Sequence, residues 1–254
     1  LHWAAHNGHT AVARALLDAR AFLAAADING LQALHHAAGM GHSAVVQLLL
    51  DAGASVDAID SDGRTALHYA VGHGHRSAAQ LLLDAHAAVN AAAADGHTAL
   101  LFAAQQGSAA AVQLLLDAQA NMDAVDCRDL TALHLAAFEG HTAVVQMLLD
   151  VQASVNAADT RGYTALHLAA REGRTAIVQL LLKVQAAVNA STLDLRMTAL
   201  HLAVEGGTQQ WFSCCLMQEQ AWTQSLIRAL RPCSWHQLKA TLEWCSCCWM
   251  PVQW

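Results

Sequence analysis

Apolar residues recur along this chain in two short blocks, each set off by polar punctuation. In "TALHLAA" (Thr164 to Ala170), Leu166, Ala169 and Ala170 stand at helical spacing behind a threonine. In "TAIVQLLLK" (Thr175 to Lys183), Ile177, Leu180 and Leu181 share one helical face. The pattern predicts two short helices. Thr164 is the expected N-cap, its oxygen accepting an early helix amide, and Gly173 is expected to end the first helix. The polar stretch in front, "VNAADTRGY" (Val155 to Tyr163), carries the Asn, Asp and Gly of a turn or hairpin.

This two-block pattern repeats. "LHWAA" begins at Leu1, "LHHAA" at Leu34, "LHYAV" at Leu67, "LLFAA" at Leu100, and "LHLAA" at Leu133 and Leu166, a step of 33 each time. "LHLAV" follows at Leu200, one residue late, because "ASTLDLRMT" holds an insertion. The second block, "AVVQLLLDAGA" (Ala44 to Ala54), returns as "AVQLLLDAQA", "AVVQMLLDVQA" and "AIVQLLLKVQA". One such unit cannot bury its apolar face alone. Stacked neighbours can, which predicts a solenoid held by contacts between adjacent repeats.

The period, the T-x-L-H-x-A run and the "LLLDAGA" run resemble ankyrin repeats. The resemblance covers residues 1 to about 207 in seven units, starting near residues 1, 29, 62, 95, 128, 161 and 195. It implies an all-α, ankyrin-type helix-turn-helix solenoid with short hairpin loops.

The chain departs from the family pattern twice. The proline that usually follows the threonine is alanine at Ala33, Ala66, Ala99, Ala132, Ala165 and Ala199, a small loss because alanine is a good helix former. The glycine usual after the second helix survives only as Gly53. Arg20, His86, Gln119, Gln152 and Gln185 take its place. If the backbone there is left-handed, each costs about 1 kcal/mol relative to glycine. The expectation is a marginal array that frays at its ends.

Charge and cysteine usage narrow the function. The net charge is −7 and Lys and Arg are few, so the basic stripe of a nucleic-acid binder is missing. No run of about 18 apolar residues suggests a membrane span. Six of the seven cysteines lie beyond residue 212, leaving Cys127 alone in the main body. The absence of a disulfide framework there suits a reducing, cytoplasmic setting. The chain opens on Leu1 rather than methionine and reads as a piece of a longer protein.

The 16 histidines invite a metal reading. Yet His2, His35, His68, His134, His167 and His201 occupy one repeat position, and His9, His42, His75 and His141 a second, at a helix start. A ladder of this kind does not converge on one ion. The ankyrin resemblance implies that the first set bonds to the threonine's turn and to neighbouring backbone. Asp57, Asp60, Asp123, Asp126 and Asp159 also recur and are expected to satisfy hairpin amides rather than act as a catalytic pair. No phosphate-cradling loop or nucleophile elbow is present. No enzyme activity, metal or cofactor is expected.

The resemblance implies partner binding through the hairpin tips and the exposed face of the first helix. In this sequence those positions are Ser61, Asp62, Arg64 and His73; Asp95, His97, Gln105 and Gln106; Arg128, Leu130, Phe138 and Glu139; and Arg161, Tyr163, Arg171 and Glu172. Phe138 with Tyr163, Arg128 and Arg161 is the richest cluster, because aromatic and arginine side chains dominate interface hot spots. The expected function is a monomeric, non-catalytic scaffold for another protein. The alternative is a regulatory or targeting arm of a larger enzyme or channel.

After Gly207 the chemistry changes but the rhythm persists. Trp211 and Trp244, Cys214 and Cys247, Cys215 and Cys248, and Met217 and Met250 are each 33 apart. Trp and Met have single codons, so reading across codon boundaries is forced at several junctions. Trp211–Phe212 gives Val, Met217–Gln218 Ala, Trp222–Thr223 Asp and Trp249–Met250 Asp, all residues the repeat would place there. Residues 208–254 therefore read as further repeats translated in a shifted frame. Written as they stand, they form a Trp- and Cys-rich tail with weak helices around Pro232. The rival is a cysteine zinc site, with Cys245 and Cys248 as a C-x-x-C pair.

Overall fold

In the computed structural model, the described helices fall where the apolar spacing predicts. The structure describes residues 1–205, so the tail and its cysteines lie outside the described residues. In chain order the helices are α1 (His2–His6), α2 (Thr10–Asp18), α3 (Ala33–Gly39), α4 (Ser43–Asp51), α5 (Ala66–Gly72), α6 (Arg76–Asp84), α7 (Ala99–Gln106), α8 (Ala109–Asp117), α9 (Ala132–Glu139), α10 (Thr142–Asp150), α11 (Ala165–Arg171), α12 (Thr175–Lys183) and α13 (Ala199–Glu205). They form six antiparallel pairs and the first helix of another. The architecture is an all-α solenoid. Among the described residues no strand forms, and an isolated antiparallel bridge joins Ala92 and Thr98.

Like helices stack on like: α3 packs on α1 and α5, and α4 on α2 and α6, and so on along the array. The core is two rows. Leu34, Leu67, Leu100, Leu133 and Leu166, each at most 2% exposed, come from the first helices, and Leu49, Leu82, Leu115, Leu148 and Leu181 come from the second. Alanine pairs such as Ala37–Ala38 and Ala136–Ala137 are buried beside them. A larger side chain there would hold the helices apart, which is why the pattern keeps alanine.

Each first helix starts in a threonine–histidine box. Thr65, Thr131 and Thr164 are N-caps in extended conformation. Their amides donate to Nδ1 of His68, His134 and His167 at 3.0, 3.1 and 3.2 Å. Gln32 replaces the threonine before α3 and its amide bonds His35 in the same way. The opposite ring nitrogen reaches the stretch that follows the second helix of the same repeat or, for His134, the next hairpin. Nε2 of His35, His68 and His167 lies 2.9, 3.1 and 3.0 Å from the carbonyls of Ala58, Ala91 and Ala190, and Nε2 of His134 lies 3.1 Å from that of Tyr163. This pattern assigns the neutral tautomer with the proton on Nε2.

The second histidine position also joins repeats. His42 and His141 are the N-caps of α4 and α10. Their Nε2 atoms bond the carbonyls of His6 and Gln105, at the end of the preceding first helix. The rings lie directly on a glycine. A Cβ at Gly107 would stand 2.3 Å from His141 Nδ1, and one at Gly41 2.4 Å from His75 Nδ1.

The non-glycine residues after the second helices do take the left-handed conformation, with φ of 62° at Arg20, 63° at His86, 62° at Gln119, 64° at Gln152 and 60° at Gln185.

Candidate partner-binding face

The hairpins hold the variable side chains in register. In four of them an aspartate organises the turn, as expected: Asp60 Oδ1 accepts the amides of Asp62 and Arg64 at 2.9 and 2.8 Å. Asp27, Asp126 and Asp159 repeat this on Asn29 and Leu31, Arg128 and Leu130, and Arg161 and Tyr163. Asp57 and Asp123 behave differently from expectation. They sit just after the preceding helix pair and accept the amides of Ala88 and Ser154 in the next repeat. Asn90 and Asn156 do the same with Asn121 and Ala187. Adjacent hairpin tips are also tied by backbone bonds, Ala94 to Asp62, Cys127 to Asp95 and Thr160 to Arg128, at 2.8, 2.9 and 3.0 Å. The tips therefore form a braced edge rather than a row of free loops.

Eight of the sixteen candidate positions are exposed: Ser61, Asp62, His73, Gln106, Arg128, Glu139, Arg161 and Glu172. Arg64, Asp95, Gln105, Phe138 and Arg171 are half-buried. His97, Leu130 and Tyr163 are buried, at 9%, 8% and 8% exposure. These three share a hairpin position just before the capping threonine, where the chain turns inward. They support the face and offer little surface to a partner. Arg64 and Met197 take the same position without being fully buried.

The expected cluster around Phe138 and Tyr163 forms, with one member exchanged. Arg171 lies over Phe138 at 5.5 Å and over Tyr163 at 5.8 Å, and Arg161 covers Tyr163 at 5.3 Å. Arg128 instead turns back to Asp126, at 3.2 Å. Arg161 is held by Asp194 at 2.8 Å and Arg171 by Glu172 at 3.0 Å. The contact with Arg161 draws the Asp194 carboxyl down to a pKa of about 2. The result is two partly exposed guanidinium groups placed over aromatic rings and each paired to a carboxylate.

The repeat frame also builds a row that the candidate positions did not include. Trp3, His36, Tyr69 and Phe102 occupy the third position of successive "LHxAA" runs, and Leu135 and Leu168 continue it. His35 meets Tyr69 edge-on at 5.9 Å, and His68 meets Phe102 at 5.8 Å. Tyr69 donates its hydroxyl to Asp60 at 2.5 Å. Burial and the Asp60 charge push the Tyr69 hydroxyl up to a pKa of about 12. Arg64 lies over Phe102 at 5.6 Å. The signal was visible as aromatic residues falling every 33 positions in an otherwise alanine-rich frame.

The hairpin before α7 is irregular. Alanine replaces the turn aspartate at Ala93, and Asp95 accepts the His97 amide at 3.0 Å instead. Nε of Arg64 and Nδ1 of His97 are buried without a hydrogen-bond partner, although the Asp95 carboxylate stands 3.3 Å from His97 Nδ1. Distance alone does not make that contact a hydrogen bond.

Among the described residues, no three His, Cys, Asp or Glu side chains converge to hold a metal ion, and no helix is long and apolar enough to cross a membrane. The family model described as "Ankyrin repeats (3 copies)" matches residues 1–93, 83–159 and 151–217. The chain is similar to the human ASB11 ankyrin repeat domain, with 26% identity and a TM-score of 0.71 over 80% of this chain and 90% of that one. It is likewise similar to the ankyrin repeat domain of Bcl-3, a member of the IkappaB protein family, with 31% identity and a TM-score of 0.70 over 80% of this chain and 92% of that one. No curated protein sequence matches it significantly. With the helix pairs, the threonine–histidine boxes and the family match in agreement over most of its length, this chain belongs to the ankyrin repeat family.

Proposed function

We propose that this chain is a non-catalytic scaffold that holds another protein against its first helices and hairpin tips. Ankyrin repeat domains generally mediate protein–protein interaction, and the solved relatives are domains of that kind. The observation that supports this surface is the Phe138–Arg171–Tyr163–Arg161 cluster. Its guanidinium groups are ordered by the rings beneath them, so a partner would not have to immobilise them on binding. The exposed residues around it, Arg128, Glu139 and Glu172, add a polar rim. Asp62, His73, Asp95 and Gln106 extend the same face along the array.

The test compares two sets of variants of the full chain as affinity baits. Phe138→Ala with Arg171→Ala strips the cluster; Gln113→Ala with Gln146→Ala alters exposed positions on the second helices. Proteins retained by the wild type and by the second pair but lost by the first support the reading. Equal retention by both pairs overturns it.

A further inference from the structure

The first two repeats border an open pocket that the scaffold reading does not use. His2, Trp3, His6, Asp27 and His36 line a cavity of about 430 Å³. The rings stand edge-to-face: His2 and His6 lie 5.5 and 5.7 Å from His36, and Trp3 lies 6.1 Å from His6. Asp27 supplies the carboxylate. Its Oδ1 accepts the Asn29 and Leu31 amides at 2.9 and 3.0 Å, and its Oδ2 accepts from His36 Nε2 at 3.1 Å. Partial burial raises the Asp27 pKa, but the two amides and the His36 ring outweigh it and hold the carboxyl below its usual range. Burial keeps His36 below the usual histidine range, which favours its neutral form. The pocket thus sets a carboxylate held in its charged form beside the His36 ring, with further rings around it.

From this geometry we propose that the pocket receives the guanidinium of an arginine presented by a partner polypeptide. Aromatic faces attract a cation through their quadrupole, and Trp is the strongest of them. A planar guanidinium stacks on such a wall and can still donate to a carboxylate edge, which a compact ammonium cannot do as well. Asp27 Oδ2 accepts one hydrogen bond and has capacity for a second, and its side chain is 28% exposed. Trp3 is 79% exposed, so its ring is reachable by an entering side chain. The histidines do not make a metal site, in line with the absence of a convergent ligand set among the described residues. The proposal rests on the scaffold reading only in assuming that a polypeptide carries the arginine.

The test titrates the full chain with N-acetyl-arginine amide and follows the Trp3 indole N–H and the His6 and His36 ring protons by NMR. Citrulline amide, the same shape without charge, is the control. The expected result is saturable shifts at these three residues with the arginine compound and none with the citrulline compound. Asp27→Asn keeps the Oδ1 acceptor for the hairpin amides and should weaken the arginine compound about tenfold, the scale of one charge-assisted hydrogen bond. Trp3→Ala, at an exposed position, should weaken it without unfolding the repeat. Absent saturation, equal response to citrulline, or unchanged binding by Asp27→Asn overturns the proposal. Such failure leaves the Phe138–Arg171 surface untouched, because the two sites lie on different repeats and are read by different variants.

Discussion

The amide of Thr131 donates to Nδ1 of His134 at 3.1 Å, and the Thr131 hydroxyl lies 2.8 Å from the same nitrogen. The ring can take a second proton only by losing its role as acceptor at the helix start. The same box recurs at His35, His68 and His167. Burial is the main cause that holds all four below the usual histidine pKa. The unfolded chain therefore binds protons more readily than the folded one just below pH 6.5. The stability these rings contribute is fully present above that value and is lost as pH falls toward their lowered folded values. Urea unfolding at pH 7.5 and 5.5 should show a clear drop in midpoint. His134→Gln should reduce the pH dependence as well as the stability. The lowered carboxyls of Asp27, Asp60 and Asp95 act in a separate window, below about pH 4. A flat midpoint between 7.5 and 5.5 would refute the histidine account.

The left-handed residues after the second helices are a correctable weakness. Gln119, Gln152 and Gln185 carry φ near +60° on exposed backbone. Gly53, at the same repeat position, has φ of 86° and open space around its α-carbon. Replacing each glutamine by glycine should stabilise the array by about 1 kcal/mol per site. Gly53→Gln should cost a similar amount. Urea midpoints at constant m-value measure both, and no gain in the three glycine variants would mean that side-chain contacts outweigh the backbone term.

Much of this was legible because the repeat itself is a frame. Arg20, His86, Gln119, Gln152 and Gln185 could be placed in the left-handed region by counting alone, and each is found there. The alanine pairs and the leucine rows followed from helical spacing. The frame says less about which way a varying residue points. Leu130 and Tyr163 vary as surface residues do, yet they are buried because the hairpin turns inward before the threonine. Arg128 and Arg171 are both arginines near Phe138 in the frame, and only the fold shows that Arg128 pairs with Asp126 while Arg171 covers the ring. Partners across repeats, such as His141 on Gly107, are invisible to a reading within one unit.

That contact makes a sharp comparison between glycines. Gly74 and Gly107 have nearly the same backbone, with φ of 76° and 71°. A Cβ at Gly74 meets nothing within 4 Å, because Ser108 stands where His42, His75 and His141 stand in other repeats. A Cβ at Gly107 meets His141 Nδ1 at 2.3 Å. Both alanine variants share the left-handed strain. Gly107→Ala should cost about 1–3 kcal/mol more, the scale of overpacking. Equal losses in thermal or urea unfolding would show that the His141 ring moves aside freely.

Tyr163 and Phe138 sit under the same arginine and should separate support from contact. Tyr163 is 8% exposed and meets His167 edge-on at 6.0 Å, next to the box that starts α11. Removing its ring leaves a cavity between the hairpin and that helix. Tyr163→Ala should cost about 3 kcal/mol or more, as for large buried aromatics. Phe138 lies half-buried at the end of α9, and its ring serves mainly to hold Arg171. Phe138→Ala should cost about 1 kcal/mol or less in stability, the usual range for a partly exposed position. The two losses can be read from unfolding curves before any partner is added. Comparable destabilisation by both would place Phe138 in the core and remove it from the proposed surface.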